Sequence, residues 1–210
     1  MNGLFNYDSP IPQLIMRVAD VIILNLMYLL FCIPIFTIGA AQAGLYTAAK
    51  VMLDKEDDTS LTAAFFRGFK AGFGTITLSW GLVSLVVLVA IYVAVMAIML
   101  GASKWLVLLS IAVAAVYQCL FPLFHSRFGC TFRQIFKNCV YLLLYYPLHS
   151  IAVGALIWLP VILFAVLDLY VFMALTPAWV LFYYSSAHLF AYGIMKKPFQ
   201  ILIDHFEETH

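Results

Sequence analysis

Asp20, Asn25, Gln118, Tyr145, His149 and His188 are polar side chains set in otherwise apolar stretches of this 210-residue chain. In hydrocarbon such groups are costly, so each is a candidate for ligand contact, proton movement or a bond between helices. His149 is the sharpest case. It stands about ten residues into the apolar run that begins near Cys139, roughly 15 Å deep at 1.5 Å per residue. Tyr145 lies one turn earlier, and Pro147 kinks the chain between them. A histidine there could accept a proton or bind a sugar in a wet cavity. It could also donate one hydrogen bond to a neighbouring helix, the commoner use of such residues. Asp20 and Asn25 are five residues apart, about 140° around a helix axis, and so do not share a site. Asp20 suits an ion pair with Arg17 near the outer interface. His188 suits a structural place in the inner leaflet.

No nucleotide-binding loop, His-Glu-x-x-His motif or nucleophile elbow is present, so the expectation is a non-enzyme with no catalytic residue. The acidic run Asp54-Lys55-Glu56-Asp57-Asp58 lacks the alternating ligands and glycine of a calcium loop and reads as solvated. Cys130 and Cys139 are too far apart for a paired-thiol motif, and Cys32 and Cys119 sit in apolar runs. No disulfide, metal or cofactor is expected. A net charge of +1 without a basic tail gives no reason to expect a nucleic-acid partner.

The elements that carry these residues belong in a bilayer. The chain is 65% hydrophobic and 10% charged, against about 25% charged in soluble domains. Apolar runs predict one all-α domain over 1–210, a polytopic helix bundle in a cell membrane. Five spans are expected, at 18–38, 75–100, 105–124, 139–167 and 169–195. Asp168 marks the turn between the last two. Arg17 and Ala41-Gln42-Ala43 imitate a signal peptide, but the run Val18–Ile38 exceeds the usual 7–15 residue signal core and predicts a retained helix. Lys50, Lys55, Arg67, Lys70, Arg127, Arg133, Lys137, Lys196 and Lys197 fall on one side of these spans, and Arg17 and Lys104 on the other. That bias places the amino terminus outside and the carboxyl terminus in the cytoplasm.

Two loop segments read as short cytoplasmic helices lying in the interface, with Phe65, Arg67, Phe69 and Lys70 in one and Phe132, Arg133, Phe136 and Lys137 in the other. Phe65, Phe69 and Lys70 recur as Phe132, Phe136 and Lys137, each 67 positions later. An ancient repeat or a chance likeness of two amphipathic turns would each give this. Earlier in the chain, Pro34 predicts a break, and Thr37 can hydrogen-bond to a carbonyl so freed. Gly39, Ala40, Ala43 and Gly44 then give small-xxx-small spacing twice, which lets another helix approach closely. Tyr46 suits the interface. The expected result is a broken helix continuing as a packed or interfacial segment.

Asp20-Val21-Ile22-Ile23-Leu24-Asn25-Leu26, Pro34-Ile35-Phe36-Thr37-Ile38-Gly39-Ala40 and Ala43-Gly44-Leu45-Tyr46 resemble the amino-terminal signature of the YesL family of small bacterial membrane proteins. Phe65-Phe66-Arg67-Gly68-Phe69-Lys70 also resembles that family's aromatic-basic segment, and the likeness covers about residues 10–80. The family has no established activity, so the resemblance carries no catalytic residue. Its members often stand beside carbohydrate-uptake and polysaccharide-degradation systems. The resemblance therefore implies an accessory or regulatory role near sugar import, with a transporter or sensor membrane protein as partner. A small permease or solute-binding subunit is the second reading, because broken helices line transport sites. It would call for a homo-oligomer or a partner. An intramembrane enzyme built on Tyr145 and His149 is the third.

Overall fold

The computed structural model describes residues 10–54, 59–101, 104–128 and 132–208, and among these there is no strand. The elements are α1 (Pro10–Phe31), a 3-10 turn (Ile35–Thr37), α2 (Ile38–Asp54), α3 (Leu61–Gly72), α4 (Thr75–Met99) and α5 (Lys104–Phe128). After these come α6 (Phe132–Tyr145), α7 (Pro147–Val166), α8 (Leu169–Ala174), α9 (Thr176–Ala178), a π turn (Trp179–Tyr183) and α10 (Tyr184–Glu208). Three helices are long and apolar enough to cross a bilayer, through Leu14–Phe31, Thr75–Ala97 and Pro147–Phe164. Few side chains in those stretches are buried, as expected where lipid is the solvent.

The run expected as a first span over 18–38 is not one helix. Helix α1 stops at Phe31, and Cys32 and Ile33 bond back to the carbonyls of Leu29 and Leu30 at 3.2 and 3.3 Å. Pro34 has no amide hydrogen with which to continue. The Thr37 hydroxyl lies 2.5 Å from the Phe31 carbonyl and 2.6 Å from that of Pro34, so its proton serves one of the two. The chain then folds back. Val21 and Leu24 share a small cleft with Leu45, Ala49 and Met52, while Tyr28 and Gln42 line a larger cavity nearer the turn. Residue numbers that rise along α1 while falling along α2 define an antiparallel hairpin.

Helix α2 is the centre of the bundle. Its Gly and Ala residues leave little bulk around the axis, so α1, α3, α4, α5 and α10 all pack on it. A Cβ on Gly39 would stand 2.7 Å from Trp80 Cβ, and one on Gly44 would stand 2.9 Å from the Phe65 carbonyl oxygen. Ala40 and Ala43 are buried beside them. One hydrophobic cluster joins α1, α2 and α3 through Leu24, Tyr28, Leu45, Ala64 and Phe65. The other joins α2, α5, α6, α7 and α10 through Tyr46, Phe121, Phe124, Leu142, Val153 and Phe199. Tyr46 is therefore core, not interface.

Two further runs also divide. The stretch 139–167 breaks at Tyr146, because a proline restricts the residue before it and Pro147 is suited to a helix start. The stretch 169–195 is built from α8, α9, the π turn and the first half of α10. Asp168 caps α8 by accepting from the Tyr170 amide at 3.5 Å. Helix α4 is closed by Gly101 at φ +86°, a left-handed cap that suits glycine.

The 67-residue offset seen in the sequence carries α1 onto α4 with ends matching within two residues, and α2 onto α5 and α3 onto α6 with ends differing by up to seven. The order of elements repeats, but side-chain surroundings do not. Helix α3, capped by Ser60, closes on the hairpin: Phe65 and Phe69 lie 5.8 and 4.8 Å from Phe31 by ring centroids. In α6 the buried residues are Ile135, Cys139 and Leu142, while Phe136 is exposed. The expected interfacial helix thus packs, in the case of α3, against protein.

Replacing Gly39 with Leu should push Trp80 and α4 away from α2. Overpacking of this kind costs about 1–3 kcal/mol, which thermal unfolding in nanodiscs should register as a fall of several degrees. An unchanged midpoint would mean that α4 does not rest on Gly39.

Candidate functional site

The helices do not close completely. Between α1, α2, α4, α5, α7 and α10 lies a cavity of about 500 Å³, a size typical of small-molecule sites. Its wall is aliphatic and aromatic, with Tyr28, Trp80, Trp158 and Tyr184 among the rings. Gln42, Gln118 and Ser84 supply polar groups, and among the described residues no acid, base or histidine lines it.

Each of these groups is delivered by local structure. Gln42 rides on α2, where small neighbours let the surrounding helices close. Trp80 is seated over Gly39, one turn before Gln42 on the same face. Gln118 Nε2 donates to Ser84 Oγ at 2.6 Å and ties α5 to α4. Trp158 Nε1 donates to the Ala115 carbonyl at 3.3 Å. Pro160 leaves the Leu156 carbonyl without its helical donor, and the Tyr183 hydroxyl donates there instead. Gln42 Oε1 and Trp80 Nε1 are buried without a hydrogen-bond partner. The wall offers ring faces and neutral hydrogen-bonding groups, which is the chemistry of binding.

A second constellation stands at the end of α2. Asp54 Oδ2 accepts from Tyr192 Oη at 2.7 Å and from Arg127 Nη1 at 2.8 Å, and Arg127 Nη1 lies 2.9 Å from Tyr192 Oη. Lys196 Nζ faces Asp54 Oδ1 at 2.9 Å. The side chains of Asp54, Arg127 and Lys196 are 5%, 16% and 53% exposed. Burial by itself would raise the Asp54 pKa. Hydrogen bonds from Lys196 and Tyr192, with the charges of Lys196 and Arg127, outweigh it and hold the carboxyl below its ordinary value. This cluster fastens the ends of α2 and α5 to α10. Asp54 had been read as the start of a solvated loop; the rest of that run, 55–58, lies outside the described residues.

The residues singled out from sequence do not gather. Gln118 lines the cavity. Asn25, fully buried, donates to the carbonyls of Trp179 and Val180 at 3.2 and 2.6 Å and accepts from the Ser185 amide at 2.8 Å. It braces α1 against the π turn. Asp20 is half-buried on α1. Tyr145 is exposed at the end of α6, stacked on Tyr141. His149 is exposed in the first turn of α7, edge-on to Tyr146. The expected depth of His149 assumed one helix through 139–167, and the break at Tyr146 removes it. His188 is fully buried, with Nδ1 2.7 Å from the Tyr184 carbonyl and its ring against Tyr28 and Tyr46. Arg67, Lys70, Arg133 and Lys137 are exposed on α3 and α6, and the side chain of Phe132 lies outside those described. Among the described residues Cys32, Cys119 and Cys139 are free thiols, and no metal-holding group of His, Cys, Asp and Glu assembles.

Sequence reasoning missed Gln42, Trp80, Trp158 and the Asp54 cluster. Gln42 carried a signal, since an amide amid five small residues of a buried helix is out of place. Its resemblance to a cleavage site hid it. The ion cluster joins residues 65 to 142 positions apart, from Arg127 with Tyr192 to Asp54 with Lys196, and no local pattern marks such a meeting.

Fold and site define an all-helical membrane protein with an uncharged cavity between its helices. Over residues 21–95 the chain matches the model of a family described as a protein of unknown function, DUF624. That stretch holds Gln42, Asp54 and Trp80. No curated protein and no solved structure matches the chain.

Substituting Asp54 with Ala strands the Arg127 charge and should cost about 3 kcal/mol, the lower end for a broken buried pair. Lys196→Ala, at a half-exposed partner, should cost under about 1 kcal/mol. Because the folded pKa of Asp54 is depressed, its contribution is complete above the unfolded value near 3.9 and is lost as pH falls through the folded value. Thermal unfolding of wild type and Asp54→Ala should therefore differ at pH 7 and converge in strong acid. Equal costs for the two substitutions would refute Asp54 as the hub.

Proposed function

We propose that this chain is a non-catalytic, ligand-binding protein of the bacterial cell membrane, an accessory or regulatory component beside a carbohydrate-uptake system. The observation that carries the binding role is the cavity, large enough for a small molecule and lined only by neutral groups. Tyr145 and His149, on which an enzyme reading would rest, stand outside it and exposed. The carbohydrate connection rests on the YesL resemblance, with which the DUF624 match over 21–95 is compatible. A small solute-binding subunit of a permease is the second reading, favoured by the helix broken at Pro34 beside the cavity. Either role suits a partner membrane protein or a second copy.

In nanodiscs, a saturating neutral ligand should raise the unfolding midpoint by about 5–10 °C at a hundredfold excess over Kd. Candidates are soluble mono- and disaccharides and the lipids of the native membrane. Gln118→Leu, which removes a polar group from the wall, should reduce the shift. A protein that no member of either set stabilises would have no binding role.

The hairpin bears on threading. It sets Arg17 of α1 level with the end of α2, where Asp54, Arg127 and Lys196 meet. The basic residues other than Lys104, which starts α5 at the opposite end, then share one side, and both termini belong in the cytoplasm. Helices α1, α2, α4, α5, α7 and α10 would each cross, six passes in place of five. Helix α2 has 17 residues, about 25 Å at 1.5 Å each, enough to serve as one. On a background without native cysteines, Ile33→Cys at the hairpin turn should react with an impermeant reagent in intact cells, and Asn6→Cys should not. The reverse result would restore five passes with the amino terminus outside.

A further inference from the structure

The mouth of the cavity lies on the apolar flank of the bundle. Leu88 and Val161 form part of its rim and are 63% and 54% exposed. Leu88 and Val161 fall within Thr75–Ala97 and Pro147–Phe164, stretches apolar enough to cross a bilayer. The opening therefore meets acyl chains. A solute from water would have to shed its hydration and cross hydrocarbon to enter there, at high cost. A molecule already dissolved in the bilayer would not.

The interior carries two unmet groups. Gln42 is 7% exposed, and its Oε1 has no partner; Trp80 Nε1 is buried and equally alone. The first can only accept a hydrogen bond and the second can only donate one. Gly39 holds the Trp80 ring one turn from Gln42, and both residues line the cavity. Buried polar atoms normally find partners, and an orphaned pair asks for one. A carboxylate head could satisfy Trp80 but not Gln42, and an ammonium head the reverse. A hydroxyl or amide head both accepts and donates. Around it, Tyr28, Trp158 and Tyr184 offer apolar ring surface to a chain.

We propose that this cavity takes an uncharged amphiphile directly from the bilayer. Its donating and accepting head sits between Gln42 and Trp80, and its apolar chain leads out past Leu88 and Val161. This rests on the ligand-binding reading above and names the class of ligand.

Bromine quenches tryptophan on contact, and Trp80 and Trp158 line the cavity, so an alcohol with bromine on the carbon beside the hydroxyl, a bromoundecanol, is a direct probe. In nanodiscs it should quench saturably, above the linear background given by bromoundecane and bromoundecanoate. Gln42→Leu should weaken the saturable component about fivefold, the effect of one hydrogen bond. Val161→Phe, at an exposed rim position, should narrow the mouth and reduce it in a protein whose core is untouched. Equal linear quenching by all three probes would overturn the proposal, leaving water or a neighbouring copy as the occupant. So would saturable quenching unchanged in both variants. If Gln42→Leu does not fold, Val161→Phe decides alone. Stabilisation by a soluble saccharide, with only linear quenching by bromoundecanol, would sink this proposal while sparing the binding role. Failure of both would sink both.

Discussion

Everything in this bundle closes on a helix with almost no side-chain bulk. The backbone of α2 is approached so closely that Trp80 rests on Gly39 and the Phe65 carbonyl on Gly44. Between helices in lipid there is little hydrophobic drive, so association depends on packing and on polar contacts. Small residues maximise the first by letting several neighbours share one axis. They also have a consequence for the second. A helix surrounded on all sides has no solvent face, so every polar residue it carries becomes interior. Gln42, Tyr46 and Asp54 are all on α2 and all buried or nearly so. The cavity and the ion cluster are two outcomes of that one constraint.

The broken stretches of the fold are repaired by neighbouring side chains in the same way throughout. Thr37 answers the freed carbonyls around Pro34, Tyr183 the one left by Pro160, and Asn25 those of the π turn. In hydrocarbon no water is at hand for these groups, so each irregularity needs a protein partner. The partners come from other helices in two of the three cases, which makes the breaks points of attachment. Asn25, read from sequence as a possible lining group, turns out to be one of these repairs.

What was legible in the sequence was whatever depends on composition and short range. Membrane character follows from the apolar runs, and the break follows from Pro34. The hairpin was hidden because α2 is less apolar than its neighbours: alanine and glycine contribute little hydropathy, and a helix buried in protein needs little. The break at Tyr146 was hidden because Pro147 was taken as a kink within one helix, and sequence alone does not distinguish a kink from a stop. His149 then acquired a depth it does not have. The repeat of 67 residues was visible at three positions, yet its real content is the spacing of whole elements, which requires their boundaries. Asp54 joined to Arg127, Tyr192 and Lys196 could be found only once α2, α5 and α10 were placed together.

Charge is partitioned along the bundle. The ionised side chains of Asp54, Arg127 and Lys196 meet at one end, where Lys196 still reaches the surface, whereas the cavity wall is neutral throughout. The cost of desolvation explains the division. An ion deep in an apolar bundle loses several kcal/mol that a partner recovers only with favourable geometry, while an amide loses far less and can be left waiting for a ligand. A neutral wall also constrains the occupant, because it has no counter-charge to offer. Selection there rests on which atoms donate and which accept, and on how much apolar surface the rings can cover. The end cluster, in turn, fixes the ends of α2 and α5 to the middle of α10, and these three helices carry Gln42, Gln118 and Tyr184. The polar groups of the cavity are thus held in position by charges kept outside it.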